Sequence, residues 1–128
     1  MEEHPDTQFK IWFPPYSILY WDMADREGAT EAILTAIEYA CGRLLAYDNV
    51  GVYSFLNDRW TTTDLEQYTD HVHCSSLVTS EVARGVINGD WRMWPDYYHG
   101  QVDELRQFVN NYDYESLYSW LFEDLEPQ

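Results

Sequence analysis

Lysine is almost missing from this chain of 128 residues: Lys10 stands alone, and with six Arg it faces 23 Asp and Glu, for a net charge of −16. So few cations leave free nucleic acid and anionic membrane repelled, and neither is expected as a direct partner. Cysteine is scarce as well. Cys41 and Cys74 are the only two, which excludes a disulfide framework and fits a reducing compartment. No apolar run reaches the length of a membrane span, and the acidic start MEEHPDTQFK has no apolar core of the kind a secretory leader needs. The expected location is therefore cytoplasmic. Six glycines are too few and too scattered for a phosphate-cradling loop, and there is neither a nucleophile elbow nor a zinc-binding helix motif. No catalytic residues, metal or cofactor are assigned on this basis.

Aromatic residues, by contrast, are abundant. Six Trp, eleven Tyr and an apolar content of 45% supply more packing material than a disordered acidic tail carries, and the length suits a single domain over 1–128.

Along the chain, FKIWFPPYSILYW (9–21) reads as two short extended pieces on either side of the Pro14–Pro15 bend. From Gly28 to Leu44, apolar residues recur at steps of three and four, the spacing of an amphipathic helix. Tyr47, Asp48 and Asn49 then turn the chain into a strand at Val50–Phe55, and Asn57–Asp58 is expected to close a hairpin onto Trp60–Thr63. His71–Ser75 is expected to add a third extended piece. Three helices follow: one capped by Thr79 or Ser80 and stopped at Asn88–Gly89, one opening near Pro95, and one capped by Asp113. This order predicts an α+β fold, a small antiparallel sheet with an N-terminal helix and three C-terminal helices packed on it.

HVHC (71–74) puts two histidines on one side of an expected strand, which is two ligands and no more. WRMWPDYYHG (91–100) concentrates the residue types that anchor protein interfaces, with Trp91, Trp94 and Tyr97 as the anchors. Alternatively, the same aromatics cover the core where two helices meet. Asp103, Glu104, Asp113, Glu115, Glu123 and Asp124 fall on or beside the last two helices, where only Arg106 answers them. Such a run is either a solvated face or a row of carboxylates standing in for phosphates before a DNA-binding cleft.

YACGRLLAYDNVGVYSFLNDRW (39–60) resembles the helix-to-hairpin segment of the ArdB/KlcA antirestriction family. Gly42, Arg43 and Leu44 match the end of the family's aromatic helix. Asp48 stands at its Asp-Tyr turn, Gly51 matches one of its paired glycines, and Tyr53, Phe55, Leu56 and Asn57 follow in step. Asp58-Arg59-Trp60 replaces the glycine pair of the family's hairpin. The resemblance implies a small cytoplasmic protein of a mobile element that lets incoming DNA escape a host's type I restriction enzyme, with no catalytic centre.

Charge and resemblance together lead to an acidic, non-enzymatic inhibitor that contacts the basic surface of a host defence nuclease or DNA-binding complex, in the manner of a DNA mimic. An immunity protein that blocks a toxin nuclease would use a similar face, and a small hydrolase built on Asp, Glu and His is the reading from another class. Monomer and homodimer are both open. The charge makes one prediction directly: the protein will not retard DNA or RNA in a gel at physiological salt. A specific shift at submicromolar concentration would remove the acidic-binder reading.

Overall fold

The computed structural model describes residues 1–123. Its centre is β2 (Val50–Ser54), a strand buried at every position. Val50 and Val52 enter one apolar cluster and Tyr53 another, as the two-residue period of a strand requires. β1 (Phe9–Phe13) pairs with β2 in parallel, from Phe9↔Val50 to Phe13↔Ser54. β3 (Arg92–Met93) pairs with its other edge in antiparallel, Val52↔Met93 and Tyr53↔Arg92. The fold class is α+β as expected, but the sheet is mixed rather than wholly antiparallel.

A parallel neighbour needs a long crossover, and two helices make it. α1 (Ile18–Arg26) and α2 (Thr30–Leu44) connect β1 to β2. The segment after Pro14–Pro15 is thus a helix, not a second extended piece. Its apolar residues Ile18 and Trp21 are three apart and fully buried, or nearly so, in the larger cluster, where helical spacing prevails over the β-favouring aromatics. Asp22 is buried on the same helix, and its carboxylate accepts from the Arg26 guanidinium at 3.3 Å and from the Tyr118 hydroxyl. Tyr118 belongs to α6 (Ser116–Glu123), so this contact ties the first and last helices together. The Tyr118 hydroxyl's pKa is raised, first by that hydrogen bond and then by burial.

The expected hairpin does not form. The Ser54 hydroxyl donates to Asn57 Oδ1 at 2.8 Å across a 3-10 turn at Phe55–Asn57. Asp58 then caps a four-residue helix, α3 (Arg59–Thr62), accepting from the Thr61 amide at 3.2 Å and its hydroxyl at 2.7 Å. A good N-cap thereby turns a β-branched run helical. His71–Ser75 stays outside the sheet too, contributing a single bridge between Tyr68 and Cys74.

α4 (Ser76–Asn88) starts one turn earlier than Thr79 or Ser80 would allow, because Ser75 accepts from the Val78 amide at 3.3 Å. It ends at Gly89, whose φ of 83° is the left-handed C-cap that glycine adopts without penalty. α5 (Tyr98–Asn111) opens three residues after Pro95, and Asp113 accepts from the Ser116 amide at 3.3 Å where α6 begins. α2 and α5 supply Leu34, Ile37, Cys41, Val102, Leu105 and Val109 to the larger cluster. α4 covers the opposite face of β2 with Val78, Val82 and Val86. Among the described residues no helix is long and apolar enough to cross a membrane.

Two helical glycines sit where neighbours come close. A Cβ on Gly85 would meet the Phe55 ring at 2.9 and 3.0 Å, whereas one on Gly42 would meet the end of the Tyr98 side chain at 2.9 Å. Gly42 therefore admits α5, not the strand that follows its own helix. Gly85→Ala is expected to destabilise by about 1–3 kcal/mol through overpacking, outweighing alanine's gain in helix propensity of about 1 kcal/mol. Gly42→Ala is milder, since a flexible tyrosine end can swing away. A melting temperature for Gly85→Ala equal to or above that of the parent would contradict this packing.

Candidate partner-binding surface

Beyond Gly89 the chain must turn from α4 into β3, and Trp91 takes the strain. Its φ of 58° is the only positive value outside glycine among the described residues, a conformation costing a bulky residue about 1–3 kcal/mol. Two contacts hold it. The Trp91 carbonyl accepts from the Ser54 amide at 2.9 Å, and the indole packs on the apolar cluster under α4. Trp60, at the start of α3, brings its ring to 6.2 Å from that of Trp91 and is itself 68% exposed.

A groove of about 380 Å³ runs between α3 and α5, walled by Arg59, Trp60, Trp91, Glu104, Gln107 and Phe108, so one cation and one acid face it. Within it, Arg59 lies over the Trp60 ring at 5.1 Å; outside it, Arg92 lies over the Trp94 ring at 4.3 Å. Trp94 is 46% exposed and Tyr97 is 69% exposed. Both precede α5, and neither lines the groove.

Amide side chains fix this arrangement. Asn57 donates to the Gln101 carbonyl at 2.9 Å. Gln101 in turn donates to the Arg92 carbonyl at 2.8 Å and accepts from the Trp94 amide at 3.0 Å. The end of β2, the start of β3 and the first turns of α5 are thus one hydrogen-bonded unit.

The expected acidic row is divided by the fold. Glu104 is exposed at the groove and takes no ion-pair partner among the described residues. Asp103, one residue earlier, pairs with Arg106, which also reaches Glu31 at 3.1 Å and Glu38 at 3.9 Å on α2. These carboxylates, Glu31 first, raise the pKa of the guanidinium. Glu38 additionally meets His99 Nδ1 at 2.5 Å, so the Glu38–His99 pair belongs to a polar seam between α2 and α5. Asp113 and Glu115 lie exposed in the connection from α5 to α6. Glu123 closes α6 with its side chain outside the described region, and Asp124 lies outside the described residues altogether.

Of the sequence-picked residues, then, Trp91 and Glu104 meet in one groove. Trp94 and Tyr97 lie apart from it near the start of α5. The sequence pattern does not single out Trp60, which it places in a hairpin, or Phe108, which shares its helix with Tyr98. The recurrence of Arg-Trp at 59–60 and Trp-Arg at 91–92 was the available signal.

The two histidines of HVHC do not converge. The His71 ring stacks parallel to Tyr20 at 6.4 Å between centroids, while His73 Nδ1 meets Asp70 at 2.6 Å. The amides of His73 and Val72, together with that ring, hold the Asp70 carboxyl well below the usual carboxylate range. Among the described residues no three metal-ligating side chains cluster. Cys41 is fully buried, and burial, with Glu38 nearby, pushes its thiol up to about 11, so it packs rather than reacts.

Gln101→Ala removes two side-chain hydrogen bonds, each worth about 0.5–1.5 kcal/mol. The expected result is a loss of about 1–3 kcal/mol in denaturant unfolding, with tryptophan emission altered before global unfolding as Trp94 and Trp91 loosen. Parental stability and emission would show that the groove does not depend on this unit.

Compared with protein-family models, with curated proteins and with solved structures, the chain finds no match.

Proposed function

We propose that the protein is an acidic, non-enzymatic inhibitor that covers the basic surface of a host defence nuclease or DNA-binding complex in the cytoplasm. The observation that carries this reading is the exposed Trp60 against the half-buried Trp91, beside a Glu104 with no ion-pair partner among the described residues, on a chain of net charge −16. Tryptophan supplies the desolvated anchor of a protein interface. The surrounding carboxylates supply steering toward a cationic face and repulsion of competing anions. Seven Lys and Arg against 23 Asp and Glu leave most of this field uncancelled, and Arg26 and Arg106 each face acids within the protein.

A surface made to hold DNA presents Lys and Arg at phosphate spacings, so a body rich in carboxylates competes for it through the same counterion-release term. The similarity of 39–60 to the antirestriction segment supports a type I restriction enzyme as the target. Nothing in this mechanism asks the protein for a bond-making step.

The test is the plating efficiency of unmodified phage on a restricting host that expresses the protein. The parent is expected to relieve restriction. Glu104→Lys with Glu115→Lys is expected to abolish relief while the melting curve hardly moves, since exposed substitutions shift stability by less than about 0.5 kcal/mol each. Restriction that stays complete with the parent well expressed would overturn the antirestriction reading. Relief that survives in the folded double variant would overturn the role of these two acids.

A further inference from the structure

We infer that β1 pairs with the β1 of a second copy of this chain, antiparallel about a two-fold axis at Ile11, so that the two sheets run on into one. Nothing in this pairing depends on the proposed inhibition. β1 is an edge of the sheet, with β2 on one side only. The Phe9 amide donates to the Asn49 carbonyl at 2.9 Å, which fixes the sense of the ladder. Phe9, Ile11 and Phe13 turn their backbone groups to β2, and Lys10 and Trp12 turn theirs outward. Among the described residues no backbone group meets the outward amides and carbonyls of Lys10 and Trp12. Both side chains are exposed, Trp12 by 48%. Such a row of open donors and acceptors beside an indole is the template on which a further strand adds.

Charge and register name a second copy as the occupant. In a chain of net charge −16, the interval from Thr7 to Trp21 holds no Asp or Glu and is the longest without one. Two acidic bodies therefore meet there with the least repulsion. The strand Phe-Lys-Ile-Trp-Phe is also nearly the same read in either direction. Laid antiparallel on itself about Ile11, it sets Phe9 opposite Phe13 and Lys10 opposite Trp12 of the other copy. Lys10 and Trp12 are then the hydrogen-bonded pairs, exchanging amide-to-carbonyl bonds on both sides of the axis and leaving no outward group of the two unpaired. The one lysine of the chain comes to lie beside an indole, a cation–π contact that the symmetry repeats. Other registers fit worse. Centring on Lys10 sets two ammonium groups opposite each other, and centring on Trp12 sets Lys10 against Pro14, which has no amide hydrogen to give.

The test is sedimentation of the whole chain up to about 1 mM, the weak end of specific affinities, at low and at moderate salt. A dimer is expected that tightens as salt screens the two acidic bodies from each other, a response opposite in sign to that of a basic partner. Lys10→Glu should weaken it by about tenfold, and adding Trp12→Lys to that variant should restore it, since opposite charges again face each other across the axis. Trp12→Pro removes an outward amide without touching the ladder to β2 and should leave a monomer. Amide exchange at Lys10 and Trp12 should be fast in dilute protein and slow in the dimer. Melting curves of dilute samples check that each variant is folded.

A chain that stays monomeric throughout overturns the inference. A dimer indifferent to both Lys10→Glu and Trp12→Pro overturns it too, because its contact then lies elsewhere. Slow exchange at both amides in the monomer does the same, since the edge would already be covered within one chain. None of these results touches restriction, so the inhibitor reading stands or falls by plating alone.

Discussion

A five-residue strand buried at every position, Val50–Ser54, is the constraint around which the molecule is arranged. Its backbone needs hydrogen-bonding partners on both edges and its side chains need cover on both faces. β1 and β3 satisfy the edges, α2 and α5 cover one face, and α4 covers the other. The exits follow from this burial. Leaving the strand, the chain folds at once into α3 and raises Trp60. Returning from α4, it must bend sharply at Gly89–Trp91 to pair with the free edge of β2, which sets Trp91 beside Trp60. The groove is thus a by-product of completing a small sheet.

Charge plays almost no part in that core. The buried carboxylate of Asp22 is answered by Arg26 and Tyr118, and the polar seam of Glu31, Glu38, His99, Asp103 and Arg106 lies along the outside of α2 and α5. Surface pairs of this kind contribute little to stability. The remaining acids repel one another, a cost to the compact state, and under the proposed function a basic partner relieves it. Stability rests on aromatic and aliphatic packing, whereas the recognition proposed above would rest on the exposed carboxylates and on Trp60 and Trp91.

Much of the helical structure was legible because it depends on local rules. The spacing from Ala29 to Leu44 gives α2, Gly89 ends α4 in the left-handed conformation, and Asp113 marks the approach to α6. What was hidden depends on distant partners. FKIWF alternates as any edge strand does, and nothing in it says that Val50–Ser54 will lie alongside in parallel. YSILYW carries strand-favouring residues but has Ile18 and Trp21 one helical turn apart, a pattern too short to decide from periodicity. Trp60–Thr63 has the composition of a second hairpin arm, but the Asp58 cap and the Ser54–Asn57 bond compete with that pairing and win. Misplacing that one segment concealed Trp60, and with it the groove. Trp91 and Glu104 were visible as residue types, yet their meeting depends on how α5 docks.

If the protein occupies a surface built for DNA, as proposed, it must compete with DNA for that surface. A fluorescent duplex bound to a purified type I restriction complex would be titrated with the protein while anisotropy and cleavage are followed together. The duplex is expected to be released in step with the loss of cleavage, and release is expected to weaken steeply as added salt shortens the reach of the acidic field. A complex that keeps both its DNA and its cleavage at saturating protein would contradict the account.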